Sequence, residues 1–142
     1  MLIIQSIVNI SEVNFYIMSS IIKLRGKGVS RIINSKVMLS PLAGVTDKIF
    51  RKLVRKWAPE SLLFTEMINA TSLKHGYGTQ KIKQLELEKG PIGVQIFDNR
   101  PFAVSEAAKL AEDSGAFLID INMGCPVKKI SRKGGGSALI ND

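Results

Sequence analysis

The sequence has few of the residues that hold extracellular or membrane-spanning folds together. Among its 142 residues there is one cysteine, Cys125, and one histidine, His75. One cysteine cannot form an internal disulfide, so a disulfide framework is excluded and a reducing compartment, the cytoplasm, is expected. No uninterrupted apolar run reaches about 18 residues, so we expect no membrane-spanning helix. We also predict no metal site.

What the chain has in excess is positive charge. Its 20 lysines and arginines outnumber 12 acidic residues, which gives a net charge of +8. Such a charge favours a polyanionic partner such as nucleic acid, although a merely basic protein would have the same composition. With 45% hydrophobic and 23% charged residues, the chain has the composition of a globular protein. Its length suits one domain or part of a larger one.

The N-terminal segment differs from the rest of the chain. Its first 22 residues are apolar but interrupted by polar residues, and they lack the basic start and the small-residue cleavage site of a signal peptide. Met18 precedes two serines and a basic stretch, so it is a candidate start, and residues 1–17 would then be an upstream extension. We therefore predict an N-terminal extension over residues 1–35, outside the core, and a folded domain over residues 36–142.

Apolar runs that alternate with helical patterns predict an α/β fold. Four short runs are typical of buried strands: Lys36–Ser40, Leu62–Glu66, Ile92–Phe97 and Phe117–Asn122. A helix is predicted from about Pro101 to Ser114, with proline at its start and Gly115 after its end. Residues 68–87 are predicted to mix helix and loop. Strands that recur about every 25 to 30 residues with helices between them indicate βαβ units and a parallel sheet.

Another helix is predicted between the first two strands. It has an apolar stripe opposite a basic face, which is typical of an amphipathic helix whose apolar side packs on the core. The stripe consists of Ile49, Phe50, Leu53, Val54 and Trp57, and the basic face of Lys48, Arg51, Lys52, Arg55 and Lys56. Thr46 or Asp47 is the predicted N-cap.

Unusual residues lie at the carboxyl end of each predicted strand. Ser40–Gly44 closes the first strand, Glu66 closes the second, Gln95 lies late in the third and Asn122–Cys125 closes the fourth. A (β/α)8 barrel has its site at this end of its strands. A doubly wound dinucleotide-binding sheet would have a G-x-G-x-x-G turn after its first strand, and that turn is absent. We therefore predict the N-terminal half of a (β/α)8 TIM barrel, truncated after about strand 4.

The most informative stretch is Asp120–Pro126. Side chains alternate along a strand, so Asp120 and Asn122 share one face, where buried polar groups need partners. Cys125 follows on a turn. A lone cysteine is usually a small buried hydrophobe, but a thiol exposed on a turn is mostly protonated at neutral pH. Such a thiol could donate a proton, whereas a nucleophile would need an activating base.

Three motifs resemble those of one enzyme family. The N-x-G-C-P pattern at Asn122–Pro126 resembles the signature of the tRNA-dihydrouridine synthases, flavoenzymes that reduce uridine in transfer RNA. Ser40–Asp47 resembles the family's opening A-P-M-A-G-V-T-D, from which Ser40 and Leu42 depart, and Val94–Asp98 resembles its V-Q-L-F-G strand. The motifs occur in the family's order, and the likeness spans about residues 37–139.

The resemblance implies an FMN-dependent enzyme that uses NADPH to reduce uridine to 5,6-dihydrouridine in tRNA. Residues 36–142 would be part of its barrel-shaped catalytic domain. Asn122 is implied to contact the target uracil, and Cys125 to be the general acid that protonates uracil C5 as hydride from flavin N5 reaches C6. The implied FMN contacts are Pro41, Leu42, Ala43 and Gln95.

A basic cluster follows the cysteine, and it consists of Lys128, Lys129, Arg132 and Lys133. Next to the thiol it is well placed to hold RNA phosphates, although a solvated basic loop has the same composition. The segment Gly134–Ser137 lacks the spacing of a P-loop. It is interpreted as a flexible loop that leads into the next helix, and the family has a close counterpart.

Two other functions fit the same residues. One is an FMN-barrel oxidoreductase that acts on a free pyrimidine or a small enone. The other is a non-catalytic RNA-binding fragment. In the family that the chain resembles, a lysine, a histidine and the flavin-phosphate loops come from the second half of the barrel, so they are not assigned here.

Overall fold

The computed structural model describes residues 16–18, 21–26, 29–33 and 35–141. Its N-terminal part is a three-stranded antiparallel sheet of β1 (Tyr16–Met18), β2 (Ile21–Gly26) and β3 (Val29–Ile33). Ile33 is buried and packs with Leu62 and Phe64. The end of the segment predicted to lie outside the core therefore contacts the core, and residues 1–15 of that segment lie outside the described residues.

The main sheet of the described part contains five parallel strands. They are β4 (Met38–Leu39), β5 (Leu62–Phe64), β6 (Ile68–Asn69), β7 (Ile92–Phe97) and β8 (Leu118–Ile121). β5 pairs with the start of β7 and β6 with its end, so these two short strands together take one place in the sheet. The four places, β4, β5 with β6, β7 and β8, follow one another in chain order.

The order of the strands distinguishes a barrel from a doubly wound sheet. A doubly wound sheet reverses its strand order at a switch point, whereas a barrel adds each strand next to the previous one. The predicted α/β class with a parallel sheet is confirmed, and the arrangement is consistent with the N-terminal part of a TIM barrel. That the barrel is truncated after about strand 4 stays a prediction.

Within the described ranges, five α-helices connect or follow the strands: α1 (Lys48–Trp57), α2 (Ala70–Lys74), α3 (Thr79–Lys83), α4 (Pro101–Asp113) and α5 (Lys128–Ser131). Short 3-10 turns span Gln84–Leu87 and Gly136–Asn141. The predicted second long helix is confirmed as α4, which begins at Pro101 and is followed by Gly115 with φ of 89°. The mixed helix and loop predicted over residues 68–87 is confirmed for residues 70–87 as α2, α3 and a 3-10 turn, whereas residues 68–69 form the strand β6, which was not predicted.

The two faces of the sheet have different environments. On one face Val94 and Ile96 pack in a core with Ala107 and Ala111 of α4. Because side chains alternate along a strand, Gln95 lies on the opposite face. The ring of Phe64 lies against Gly93 on β7, where a Cβ would come within 2.4 Å of Phe64 Cε1. This close approach explains why the strand carries a glycine.

Helix α1 is turned differently from the expected orientation. The predicted core stripe is largely exposed: Ile49 by 79%, Leu53 by 52% and Trp57 by 86%. Arg51 of the predicted solvent face is buried instead, and it donates to both carboxylate oxygens of Glu88 and to the backbone oxygen of Thr46. The prediction for this helix was therefore wrong in its orientation.

The physical reason is that an arginine can be buried when a carboxylate and carbonyl oxygens satisfy its donors. Arg55 follows the same rule, because it donates to the backbone oxygens of Ser61 at 2.6 Å and Pro91 at 2.9 Å. Of the predicted stripe, Val54 does pack against the core. The predicted N-cap is confirmed as Asp47, which accepts from the Phe50 N–H at 2.8 Å.

Candidate active site

The segment after β4 forms a turn that is held internally. Thr46 is fully buried, and its hydroxyl accepts from the Leu42 N–H at 3.0 Å and donates to the Leu42 oxygen at 3.1 Å. Leu42 and Ala43 are exposed, and Pro41 is half-buried. The turn thus presents three of the predicted FMN contacts at the carboxyl end of a strand.

Glu66 joins this turn to the next strand. Its carboxylate accepts from the Gly44 N–H at 2.7 Å and from Lys81 Nζ at 2.9 Å. The hydrogen bond from Lys81, together with that from Gly44, lowers the pKa of Glu66 below its ordinary value. The sequence indicated Glu66 only as a residue at a strand end, and its structural role is to fix the turn that contains Pro41–Ala43.

Polar side chains of β7 and β8 meet on the face opposite the helical core. Gln95 Nε2 donates to Asp120 Oδ2 at 2.5 Å, and Asn122 Nδ2 donates to Gln95 Oε1 at 3.0 Å. Gln95 pairs with Asp120 in the parallel register, which brings the two side chains side by side. The structure therefore joins two predicted site residues, Gln95 and Asn122, through a direct hydrogen bond.

The turn with Cys125 is anchored by Asn122. The side-chain oxygen of Asn122 accepts from the backbone N–H groups of Gly124, at 3.2 Å, and Cys125, at 2.5 Å. Cys125 is a free, half-buried thiol. The strand end, the amide and the cysteine are thus one unit, as the N-x-G-C-P spacing suggests.

The glycine segment that follows packs against this turn. Gly135 and Gly136 are buried, and a Cβ on Gly136 would lie 2.4 Å from the Cys125 oxygen. The Ser137 N–H donates to that oxygen at 3.0 Å. The segment Gly134–Ser137, interpreted from the sequence as a flexible loop, is packed against the Cys125 turn and leads into the 3-10 turn Gly136–Asn141, and its glycines permit this close backbone approach.

Asp98, which the sequence analysis did not single out, organises the loop after β7. It is buried and accepts from the hydroxyl and backbone N–H of Thr71, from the backbone N–H groups of Asn99 and Arg100, and from Arg100 Nε. Burial acts to raise the pKa of Asp98, but the hydrogen bonds from Thr71 and Arg100 outweigh it and lower the pKa. Asn99 in turn contacts Gly134. The only sequence signal was an acidic residue just past a strand end.

The basic cluster lies in and just after α5. Its four side chains, Lys128, Lys129, Arg132 and Lys133, are exposed. Within the described ranges none of them forms an ion pair, since the three ion pairs there involve other residues. The cluster is therefore an uncompensated positive surface next to the Cys125 turn in the chain.

Some predicted site residues are not in direct contact. Among the described residues, no hydrogen bond joins Pro41–Ala43 to Gln95, Asn122 or Cys125. In the same part of the chain there is no group of three or more side chains able to hold a metal ion. No helix in the described ranges has the length and apolar character needed to cross a membrane.

The strand order and the helices define an α/β protein with a parallel sheet, and the polar groups at the carboxyl ends of its strands form the candidate site. The family model for dihydrouridine synthase matches residues 38–142. The chain belongs to the dihydrouridine synthase family.

Curated relatives agree with this assignment. The chain is 48% identical over 111 residues to "Probable tRNA-dihydrouridine synthase 1" of Synechocystis sp., a match that covers 78% of the chain and 31% of the relative. It is 44% identical over 110 residues to "tRNA-dihydrouridine synthase B" of Xanthomonas campestris, over 75% of the chain and 32% of the relative. A "Probable tRNA-dihydrouridine synthase" of Rickettsia bellii is 38% identical over 112 residues, over 78% of the chain and 34% of the relative. The chain spans about a third of the length of these relatives.

Proposed function

We propose that this chain supplies the N-terminal part of an enzyme that reduces uridine to 5,6-dihydrouridine in tRNA, with FMN as cofactor and NADPH as reductant. The observation that carries the proposal is the unit in which Asn122 anchors the Cys125 turn beside Gln95 at the carboxyl ends of β7 and β8. The proposed catalytic domain includes residues 36–142. A tRNA substrate implies a cytoplasmic enzyme.

The residues present fit the ring portion of FMN. The turn with Pro41, Leu42 and Ala43 is exposed at its tip and rigidly held, so a flat ring could approach its backbone. Gln95 uses one N–H on Asp120 and one lone pair on Asn122. A primary amide has two N–H donors and two lone pairs, so Gln95 retains one of each for a pyrimidine edge. Bound there, FMN would supply the hydride for the substrate ring.

Cys125 would supply the proton. Reduction of a carbon–carbon double bond adds a hydride at one carbon and a proton at the other, so a donor must face the second carbon. The Asn122 oxygen and the Ser137 N–H hold the backbone on both sides of the thiol. These contacts fix the backbone from which the thiol of Cys125 projects and support its role as the proton donor.

The basic cluster would bind the RNA strand. Exposed lysine and arginine side chains without carboxylate partners are available for phosphate oxygens. All four members of the cluster lie within eight residues of Cys125 in the sequence. This proximity supports tRNA over a free pyrimidine or small enone as the substrate.

The test uses the chain extended to the full length of its relatives. Cys125→Ala should lower the rate of dihydrouridine formation in tRNA by about 10²- to 10⁴-fold, because a positioned acid contributes that much. Reduction of bound FMN by NADPH should be unchanged, since that step does not use this proton. An unchanged rate of dihydrouridine formation would remove Cys125 from the mechanism.

The same assay distinguishes the proposed function from the two alternative functions. An oxidoreductase of free pyrimidines or enones would reduce uridine or an enone as well as it reduces tRNA. A non-catalytic RNA-binding protein would hold no flavin and would bind tRNA equally well with and without Cys125→Ala.

A further inference from the structure

Three side chains form a directed chain of hydrogen bonds that we call the amide relay: Asp120, Gln95 and Asn122. Gln95 donates through Nε2 to Asp120, and Asn122 donates through Nδ2 to Gln95 Oε1. Asp120 is 4% exposed and Gln95 is 8% exposed. At such burial an amide that pointed the wrong way would leave polar groups unpaired, at a substantial free-energy cost.

Both ends of the relay have a fixed polarity, because the carboxylate of Asp120 can only accept and the backbone N–H groups of Gly124 and Cys125 can only donate. An amide can present either its oxygen or its NH₂ group, whereas a carboxylate can only accept. With the carboxylate of Asp120 at one end, Gln95 directs its NH₂ group to Asp120 and its oxygen to Asn122. Asn122 must then direct its NH₂ group to Gln95, which leaves its oxygen for the Cys125 turn.

We propose that Asp120 is a positioning residue: as the acceptor at the buried end, it holds the amide relay in the one polarity that the donors of the Cys125 turn also require, and so helps to fix that turn. If the relay were reversed, the NH₂ group of Asn122 would face the backbone N–H groups of Gly124 and Cys125, which are also donors. These two backbone donors would then lose their acceptor, and the turn would lose its anchor.

The polarity also decides what Asn122 can offer to a ligand. Both lone pairs of its oxygen are used by the N–H groups of Gly124 and Cys125. Of its two N–H groups, one donates to Gln95 and the other lies near the sulfur of Met67, with 3.9 Å between Nδ2 and Sδ. A thioether is a weak acceptor, so this second N–H is the donor that a ligand oxygen could take over. This step rests on the proposed function: with a pyrimidine as substrate, Asn122 would recognise a carbonyl oxygen and not a ring N–H or an exocyclic amine.

The test measures the rate of amide hydrogen exchange in the Cys125 turn of the 142-residue chain. The reporters are the amides of Gly124 and Cys125, since Pro126 has none. Asn122→Asp puts a carboxylate at each end of Gln95, so one of them must face the Gln95 oxygen. The carboxylate at position 122 would be repelled when it faces that oxygen and would move away from the turn, so we expect exchange at the two reporters to rise by about three- to tenfold, as for the loss of one hydrogen bond.

The decisive variant combines Asp120→Asn with Asn122→Asp. It rebuilds the same chain with its direction reversed: the new carboxylate still accepts from the turn, and it also accepts from Gln95. Exchange at Gly124 and Cys125 should return to within about twofold of the parent chain. Asp120→Asn alone should have a smaller effect than Asn122→Asp, because its amide oxygen can still accept from Gln95.

Asp47→Ala is the matched control, since it removes the N-cap of α1 and leaves the relay intact. It should not change exchange at the two reporters selectively over amides in α4. A combined variant no better protected than Asn122→Asp alone overturns the proposal. Circular dichroism shows whether each variant is folded. If Asn122→Asp alone is unfolded, the proposal requires the combined variant to be folded, and an unfolded combined variant also overturns the proposal. Because exchange needs no tRNA, FMN or NADPH, this result is independent of the Cys125→Ala assay of the proposed function.

Discussion

At the scale of single residues, Gly136 shows how tightly the Cys125 turn is packed. Its φ of +59° is unfavourable for other residues, and a Cβ there would lie 2.4 Å from the Cys125 oxygen. We expect Gly136→Ala to destabilise the chain by roughly 1–3 kcal/mol, as overpacking and backbone strain do. Urea unfolding measures the change.

The matched control for that prediction is Gly124→Ala. Gly124 lies in the same turn region, but a Cβ there meets nothing within 4 Å, and its φ lies outside the left-handed region. This substitution should leave the free energy of unfolding within about 0.5 kcal/mol of the parent. Equal effects of the two substitutions would show that the close contact at Gly136 is unimportant.

A second residue-scale prediction concerns Asp98 and pH. Because the pKa of Asp98 is lowered in the folded chain, the unfolded state takes up a proton first as the pH falls. Its contribution to stability is thus fully present above the ordinary aspartate pKa of about 3.9 and is lost as the pH falls through the lower folded value. Asp98→Asn should weaken the dependence of unfolding free energy on pH below about 4.

Thr71→Val tests the cause of this shift. It removes one of the hydrogen bonds that lower the pKa of Asp98, so it should weaken the same pH dependence, but less than Asp98→Asn does. A pH profile that neither variant alters would contradict the assignment to Asp98.

At the scale of elements, helix α1 allows a direct test of which of its sides is buried. Arg51→Ala would leave Glu88 and the Thr46 oxygen without their buried partner, which typically costs roughly 3–5 kcal/mol. Trp57→Ser, on the exposed side of the same helix, should change the stability of the chain by less than about 1 kcal/mol. Urea unfolding of both variants measures the difference. If α1 instead buried its apolar stripe, the order of the two effects would be reversed.

The same helix shows why sequence patterns predicted some elements well and others only in part. The strands were found because a short apolar run bounded by turn residues is typical of a buried strand, and the Asn122–Cys125 unit follows from spacing within one turn. The orientation of α1 depends on Glu88, which is distant in sequence, and periodicity contains no information about such a partner. The Asp98 cluster was missed for the same reason, since its donors come from Thr71 and Arg100 on different elements.

At the scale of the whole molecule, two features leave apolar or unpaired groups on the surface of the described part. The stripe of Ile49, Leu53 and Trp57 is exposed on α1. The strands β4 and β8 each pair on one side only among the described residues. Exposed stripes and open strand edges promote association, so we expect the 142-residue chain to form oligomers at micromolar concentration.

Substitutions on α1 test which feature drives that association. Leu53→Ser combined with Trp57→Ser removes most of the exposed stripe and should shift the mass measured by light scattering towards the monomer. Tyr77→Ser is the matched control, because Tyr77 is 74% exposed but lies outside α1, and it should leave the mass unchanged. If the α1 variant stays as oligomeric as the parent, the open strand edges are the cause. A parent chain that is monomeric would contradict the prediction. It would show that neither the open strand edges nor the apolar stripe drives association at this concentration, because both then remain exposed to solvent in the monomer.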